Sequence, residues 1–395
     1  MSGFAWRRRS AHSSSADDWN FRSNTEQSSG SCLQSAMNFL QQLIRIVRLF
    51  IRLRPKKYLR AAVVVIGLAV IYTVYRILES KGFMYGDPYV EEWCRYEEVP
   101  DYMLRKEPDE ITIVTAYVNL GVYKKGQEFG AYHTPFKYKQ WMRPLGKMTN
   151  PVIAFMEDDD AIAYFRKVRS CLPASHTKII KFNRNEMWSY GLIEKIKEIY
   201  SKNNYPKHYP NTVNSEYTCA MHAKYEFLQM AMDMDVFRTP AFAWLDIGYF
   251  RNLDKSGTTF FKLLPPKKFN TEKVGLSQAW PHDPNIDPKA VLRSNLVWVS
   301  GGMVLGINET LQGFVQQYKW TVETLLKDGL SNSDQQVIYA MFSTSMQQRY
   351  NKKQIKIQSY MCHQGQLGLY GPDARYFCLG FLCKNIWEGI HKAGV

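Results

Sequence analysis

The sequence predicts an α/β domain, a Rossmann-type, mostly parallel sheet flanked by helices, preceded by one transmembrane helix. Two observations carry this. From residue 110 onward, β-branched apolar runs alternate with segments of helical periodicity. Before that, Ala61 to Tyr75 is free of charge and follows a strongly basic flank.

The strands are expected in ITIVTAY (111–117), PVIAFME (151–157), TKIIKFN (177–183), AFAWLDIG (241–248) and LVWVSGGMVLG (296–306). The first reads as a buried strand running into a loop that holds Asn119 and Gly121, and the last holds a strand with a hairpin as an alternative. Helical patterns fill 159–169, 188–201, 218–235, 309–327 and 333–347, and no internal repeat is visible. Such sheets bind ligands at the carboxyl ends of their strands, so the residues just after each run carry the functional interest.

The anchor is argued from length and charge. With Leu59 and snorkelling Arg60 and Arg76, the apolar stretch reaches about the 20 residues that cross a bilayer. Tyr58, Tyr72 and Tyr75 sit at interface positions. Arg45, Arg48, Arg52, Arg54, Lys56, Lys57 and Arg60 lie upstream, against Arg76 and Lys81 downstream, so the N-terminus faces the cytosol. The expected order is therefore a basic cytosolic tail (1–57), a signal-anchor helix (58–78), a luminal stem (79–109) and a luminal domain (110–395). The short span suits the Golgi or endoplasmic-reticulum membrane, in type II orientation with the C-terminal domain luminal, with the plasma membrane as the other placement. Within the tail, residues 38–54 interleave Arg with apolar residues, as a helix lying on the inner leaflet would.

The formal net charge of +15 is uneven: residues 1–60 hold 11 Lys/Arg and 3 Asp/Glu. The excess belongs to the membrane flank, and no nucleic-acid partner is expected. Six cysteines follow the span: Cys94, Cys171, Cys219, Cys362, Cys378 and Cys383. An even number suits disulfides in an oxidising lumen, and the local pair Cys378 and Cys383 is one way to close a loop. Asn308-Glu309-Thr310 is a glycosylation sequon in that topology.

Each polar group at a strand end has a functional and a structural reading. Asp246 closes an apolar strand, where a carboxylate can hold a divalent cation or cap a turn, and Gly248 admits close backbone approach. Glu157 to Asp160 is an acidic run that opens a helix, and helix capping outweighs metal binding there. Ser300-Gly301-Gly302 reads as a glycine-rich strand end beside which a sugar or phosphate fits. Asp334, in SNSDQQ, is either a helix-start residue behind a Ser331 or Ser333 cap or a general base for an acceptor hydroxyl. His363 lies in a glycine-rich loop, as a late ligand or a structural histidine. Lys224 and Tyr217 lie in an otherwise core-facing helix, from which either can face a nucleotide.

TIVTAYVNLG (112–121), Trp141, PVIAF with its trailing Arg169, SEYTCAMHAKYEFLQMAM (215–232) and FAWLDIGYFR (242–251) together resemble the HtrL/YibB family over about residues 110–370. That family is thought similar to glycosyltransferases of the GT-A, nucleotide-diphospho-sugar fold. The resemblance implies nucleotide binding near Tyr117 and Asn119. It sets Asp246 where GT-A enzymes keep a metal-binding Asp-x-Asp, here Asp246-Ile247-Gly248 with the second carboxylate absent. It further implies Mn²⁺ or Mg²⁺ held by Asp246 and His363, and Lys224, Gly248, Gly301 and Gly302 near the nucleotide-sugar. The expected activity is transfer of a sugar from a nucleotide-sugar donor to a glycan or protein acceptor. A non-catalytic luminal or cell-surface binding protein on the same fold is the alternative.

Overall fold

A computed structural model describes residues 98–126, 132–255, 260–362 and 374–385, together with positions 67, 68 and 70. Residues 67, 68 and 70 are helical; the rest of the expected span 58–78, the tail and most of the stem lie outside the described residues. Among the described residues no helix is long and apolar enough to cross a membrane.

The strands are β1 (Ile111–Tyr117), β2 (Tyr123–Lys124), β3 (Tyr132–His133), β4 (Val152–Met156), β5 (Thr177–Lys181), β6 (Ala241–Leu245), β7 (Lys262–Leu263), β8 (Lys273–Gln278), β9 (Val299–Ile307), β10 (Lys356–Tyr360) and β11 (Lys384–Asn385). Seven of them form the central sheet in the order β10-β8-β9-β6-β1-β4-β5. The pairs β1·β4, β4·β5, β1·β6 and β8·β10 are parallel, and β9 alone runs antiparallel to its neighbours β6 and β8. From β1 the chain steps outward to β4 and β5, then returns to lay β6 on the other flank. The order therefore reverses between β1 and β6, the place beyond whose strand ends sheets of this kind bind their ligands.

Alternation across the sheet builds two apolar layers. Ile111, Ile113, Ala241, Ala243 and Leu245 face one side; Val114, Phe242 and Trp244 face the other. Helices α1 (Pro135–Met142) and α2 (Asp159–Val168) cover the first side. Helices α3 (Ser215–Met234), α4 (Asn308–Lys327) and α5 (Asp334–Met341) cover the second. Helix α6 (Ala374–Cys383) returns to the first side, where Phe377 and Leu379 pack. The central strands β4 and β6 are buried throughout, as strands covered on both faces must be.

The structure departs from the sequence reading in several places. β8 and β10 were not anticipated. KVGLSQ contains a glycine and little apolar length, and KIQSY is an edge strand with exposed positions. Residues 299–307 form one strand, not a hairpin, because β9 has a partner along both edges. The 188–201 helix divides at Leu192, and the 333–347 helix divides where Ser343 caps a new helix, Thr344–Arg349.

The local loop between Cys378 and Cys383 does not form. Cys378 is bonded to Cys362, and Cys383 is free and buried. Both residues of the expected pair belong to helix α6, which holds Cys378 against the β10 end instead. Cys171 is also disulfide-bonded, while Cys219 is free and buried. Asn308 begins helix α4, where its amide donates to the Met232 carbonyl at 3.4 Å and its oxygen accepts from Gln312 at 2.7 Å. Thr310 of the same sequon donates to the Thr271 carbonyl.

Candidate active site

At the β1/β6 reversal, residues from the end of β6, from α3, from α5 and from β9 come together. Asp246 follows the last residue of β6, and its backbone still pairs with Gly302 of β9 at 2.8 Å. Its side chain accepts from Trp244 Nε1 at 2.7 Å, since residues two apart on a strand share a face. Lys224 reaches it from the middle of α3. The ammonium lies 2.9 Å from Asp246 Oδ1 and 3.3 Å from Oδ2, 3.1 Å from Asp334 Oδ2 and 3.3 Å from the Gly301 carbonyl. Three N–H groups are thereby shared among two carboxylates and a carbonyl. Burial pulls the Lys224 pKa down, but Asp246 and Asp334 outweigh it and hold the ammonium above its ordinary value.

The two carboxylates differ in access. The Asp246 side chain is 39% exposed and that of Asp334 3%. Asp334 is the first residue of α5, but neither serine caps that helix. Ser333 donates to Gln336 Oε1, and Ser331 lies beside Tyr200. The carboxylate turns to Lys224 instead. Gly301 makes this approach possible, because a Cβ there would lie 2.0 Å from Asp334 Oδ2. The Gly301-Gly302 pair therefore sits inside β9 and not at a strand corner, with Gly302 against the Tyr249 ring. Gly248 likewise has its free side filled by Trp141, whose ring a Cβ would meet at 2.8 Å.

That indole opens an aromatic wall. Trp141 touches His133 and Tyr138 with centroids 5.0 and 5.1 Å away, and Tyr138 continues to Tyr117 at 5.9 Å. The wall thus links the end of β1 to the end of β6. Tyr123 joins through its hydroxyl, 2.5 Å from that of Tyr138, and its ring meets Tyr217. Arg251 and Lys137 lie over the Trp141 ring, and Lys125 over that of Tyr217. Burial, with Lys125, Lys137 and Arg251 nearby, drives the His133 pKa well below its usual range. Burial first, then Asp158, raises the Tyr117 phenol.

At the end of β1, Asn119 is tied down on every polar group. Its N–H donates to Glu157 at 2.7 Å and its carbonyl accepts from Arg184 at 2.9 Å. Its side chain donates to Asp158 and accepts from Gly121 N. The acidic run serves structure throughout. Glu157 takes a two-point contact from Arg184, and Asp158 caps α2 through Ala161 N at 2.7 Å. Asp159 and Asp160 pair with Lys181 and Lys139. Arg169, buried in the first layer, donates to the carbonyls of Leu145, Met148, Asn150 and His176 and to Thr177 Oγ1.

Lys224, Asp246, Asp334 and Gly301 therefore meet, while Gly302 pairs with the Asp246 backbone, Gly248 packs on Trp141, and Tyr117 and Asn119 lie at the neighbouring strand end. His363 lies outside the described residues. Among the described residues no three His, Cys, Asp or Glu side chains gather as a metal site. The sequence reading missed the roles of His133, Tyr138 and Trp244. The spacing of Trp244 and Asp246 was the available signal for one of them; the other two arrive from a different segment.

The fold and site define a switch-point α/β protein with a lysine-clamped carboxylate pair at the crevice. Residues 109–357 match the HtrL/YibB family, described as a bacterial protein of unknown function. The chain belongs to this family. Comparison with curated proteins finds no match.

Proposed function

We propose that this chain is a type II membrane glycosyltransferase of GT-A type, acting in the Golgi or endoplasmic reticulum. It takes a sugar from a nucleotide-sugar donor to a glycan or protein acceptor. The observation that carries the reading is the Lys224-clamped Asp246–Asp334 pair at the crevice where the strand order reverses. The disulfide between Cys362 and Cys378 supports an oxidising lumen.

Asp246 presents the exposed carboxylate edge and accepts hydroxyl hydrogens; Asp334 stands behind it and fixes the ammonium. In transfer, the acceptor oxygen bonds to the anomeric carbon while the bond from that carbon to the diphosphate breaks. The acceptor proton passes to a carboxylate of this pair, Asp246 being the one that reaches the crevice. The negative charge leaves on the diphosphate, beside which Arg251, Lys137 and Lys125 gather at the aromatic wall. Asn119 and Tyr117 border the nucleotide end.

The Mn²⁺ or Mg²⁺ expected from the resemblance finds Asp246 already engaged by Lys224 and Trp244, so no step here runs through a metal. The alternative, a non-catalytic binding protein, draws support from the same engagement, since a clamped carboxylate also serves to hold a glycan.

The test is thermal unfolding of the detergent-solubilised full chain against a panel of nucleoside diphosphates, with and without Mn²⁺. A ligand at about 100 times its dissociation constant adds about 2.7 kcal/mol. Stabilisation by one nucleotide, absent in Asp246→Ala, is the expected result. A folded protein indifferent to every nucleotide transfers the reading to the binding protein.

A further inference from the structure

The cation at the strand-end carboxylate is supplied by the chain. Lys224 approaches both oxygens of Asp246, at 2.9 and 3.3 Å, the side on which a metal would sit. It is 4% exposed and packed within the central turns of α3, so it has no room to swing out. The second carboxylate of the site, Asp334, points at the same ammonium from the protein side. Gly301 is the residue that lets it do so.

We propose that Lys224 stands in for a divalent cation beside Asp246, so that the crevice takes its ligand without a metal and excludes one. The identity of the ligand rests on the nucleotide-sugar reading; the exclusion of metal does not.

Charge supports this. One ammonium between two carboxylates leaves a single negative charge, and it lies on the exposed edge of Asp246. That edge suits hydroxyl donors. A divalent ion bound there would sit close to the buried Lys224 ammonium, and like charges at that range repel. Removing the ammonium reverses the situation: two carboxylates would face each other across a vacated space, which is a cation site.

The experiment is Mn²⁺ titration of the detergent-solubilised full chain, read from the electron paramagnetic resonance signal of free Mn²⁺. Wild type is expected to bind none at Asp246. Lys224→Met is expected to gain bound Mn²⁺, and to lose it again when Asp246→Asn is added. Wild-type binding that disappears in Asp246→Asn overturns the proposal, as does a folded Lys224→Met that gains nothing.

Because Lys224→Met strands a buried carboxylate and can unfold the domain, wild type is also titrated with nucleoside diphosphate in EDTA and in Mn²⁺. Equal affinity supports the proposal. Binding that requires Mn²⁺ overturns it while leaving the glycosyltransferase reading intact. Should no nucleotide bind while wild type still excludes Mn²⁺ and Lys224→Met gains it, the glycosyltransferase reading fails and the built-in cation stands.

Discussion

Gly301→Ala is the most demanding test of the site geometry, because its effect is worked from protein contacts alone. A Cβ at position 301 would lie 2.0 Å from Asp334 Oδ2 and 2.9 Å from its Cγ. Carbon and oxygen need more than an ångström beyond the first of these distances, so one of them must move. Residue 301 is held in β9, between β6 and β8, and Asp334 is buried at the start of α5. The Asp334 side chain therefore yields, and its 3.1 Å contact to Lys224 is broken.

Separating a buried ion pair typically costs about 3–5 kcal/mol. For a domain of this size each kcal/mol lowers the melting temperature by about 2–4 °C. Calorimetry of Gly301→Ala should then show a fall of about 6 °C or more. The assignment of cause comes from a double-mutant cycle. In an Asp334→Ala background the added methyl has space, and Gly301→Ala should cost less than about 1 kcal/mol. Gly191→Ala, whose Cβ meets nothing within 4 Å, is the control and should lie within about 0.5 kcal/mol of wild type. A fall under about 2 °C for Gly301→Ala, or the same loss in both backgrounds, would refute the argument that glycine is there to admit Asp334.

Three further outcomes follow from the same contacts. Arg169→Met strands four carbonyls that the guanidinium serves, and should destabilise by at least about 3 kcal/mol; Arg169→Lys should not rescue it, because an ammonium lacks the planar five-donor fork. Cys383→Ser should leave the disulfide peptide map unchanged, whereas Cys378→Ser should free the thiol of Cys362 and cost about 3 kcal/mol for the 16-residue separation it closes. His222 is buried with its Nδ1 2.7 Å from the Tyr318 hydroxyl, and burial pulls its pKa down to about 3. A depressed histidine pKa means that the unfolded chain takes the proton first. Stability is therefore full above the unfolded value of about 6.5 and is lost as pH falls toward the folded one, at up to about 1.4 kcal/mol per pH unit. Denaturant unfolding between those limits should show this slope, and a folded His222→Gln should flatten it; an unchanged slope would remove His222 as its source.

Several features were legible without coordinates because their causes are local. The runs at 111–117, 151–157, 177–183 and 241–248 became strands, since apolar β-branched stretches between turn signals have few other uses in an α/β chain. Asp158 capping α2 was legible because an acidic residue before a helical pattern meets unpaired amides whatever the rest of the chain does. Asp246 at a strand end followed from the same local reading, and the family from residues 109–357.

Only the tertiary structure decided what those residues meet. Cys378 pairs with Cys362 and not with its near neighbour Cys383, because helix α6 and the end of β10 set the distances. β8 and β10 gain their strand character from partners, since neither segment has the apolar length to announce it. Above all, the carboxylate that shares Lys224 with Asp246 comes from α5, far along the chain, and the lysine joins the two from α3. No spacing rule encodes that meeting. Its position depends on where the sheet order reverses, and that order is a property of the packed whole.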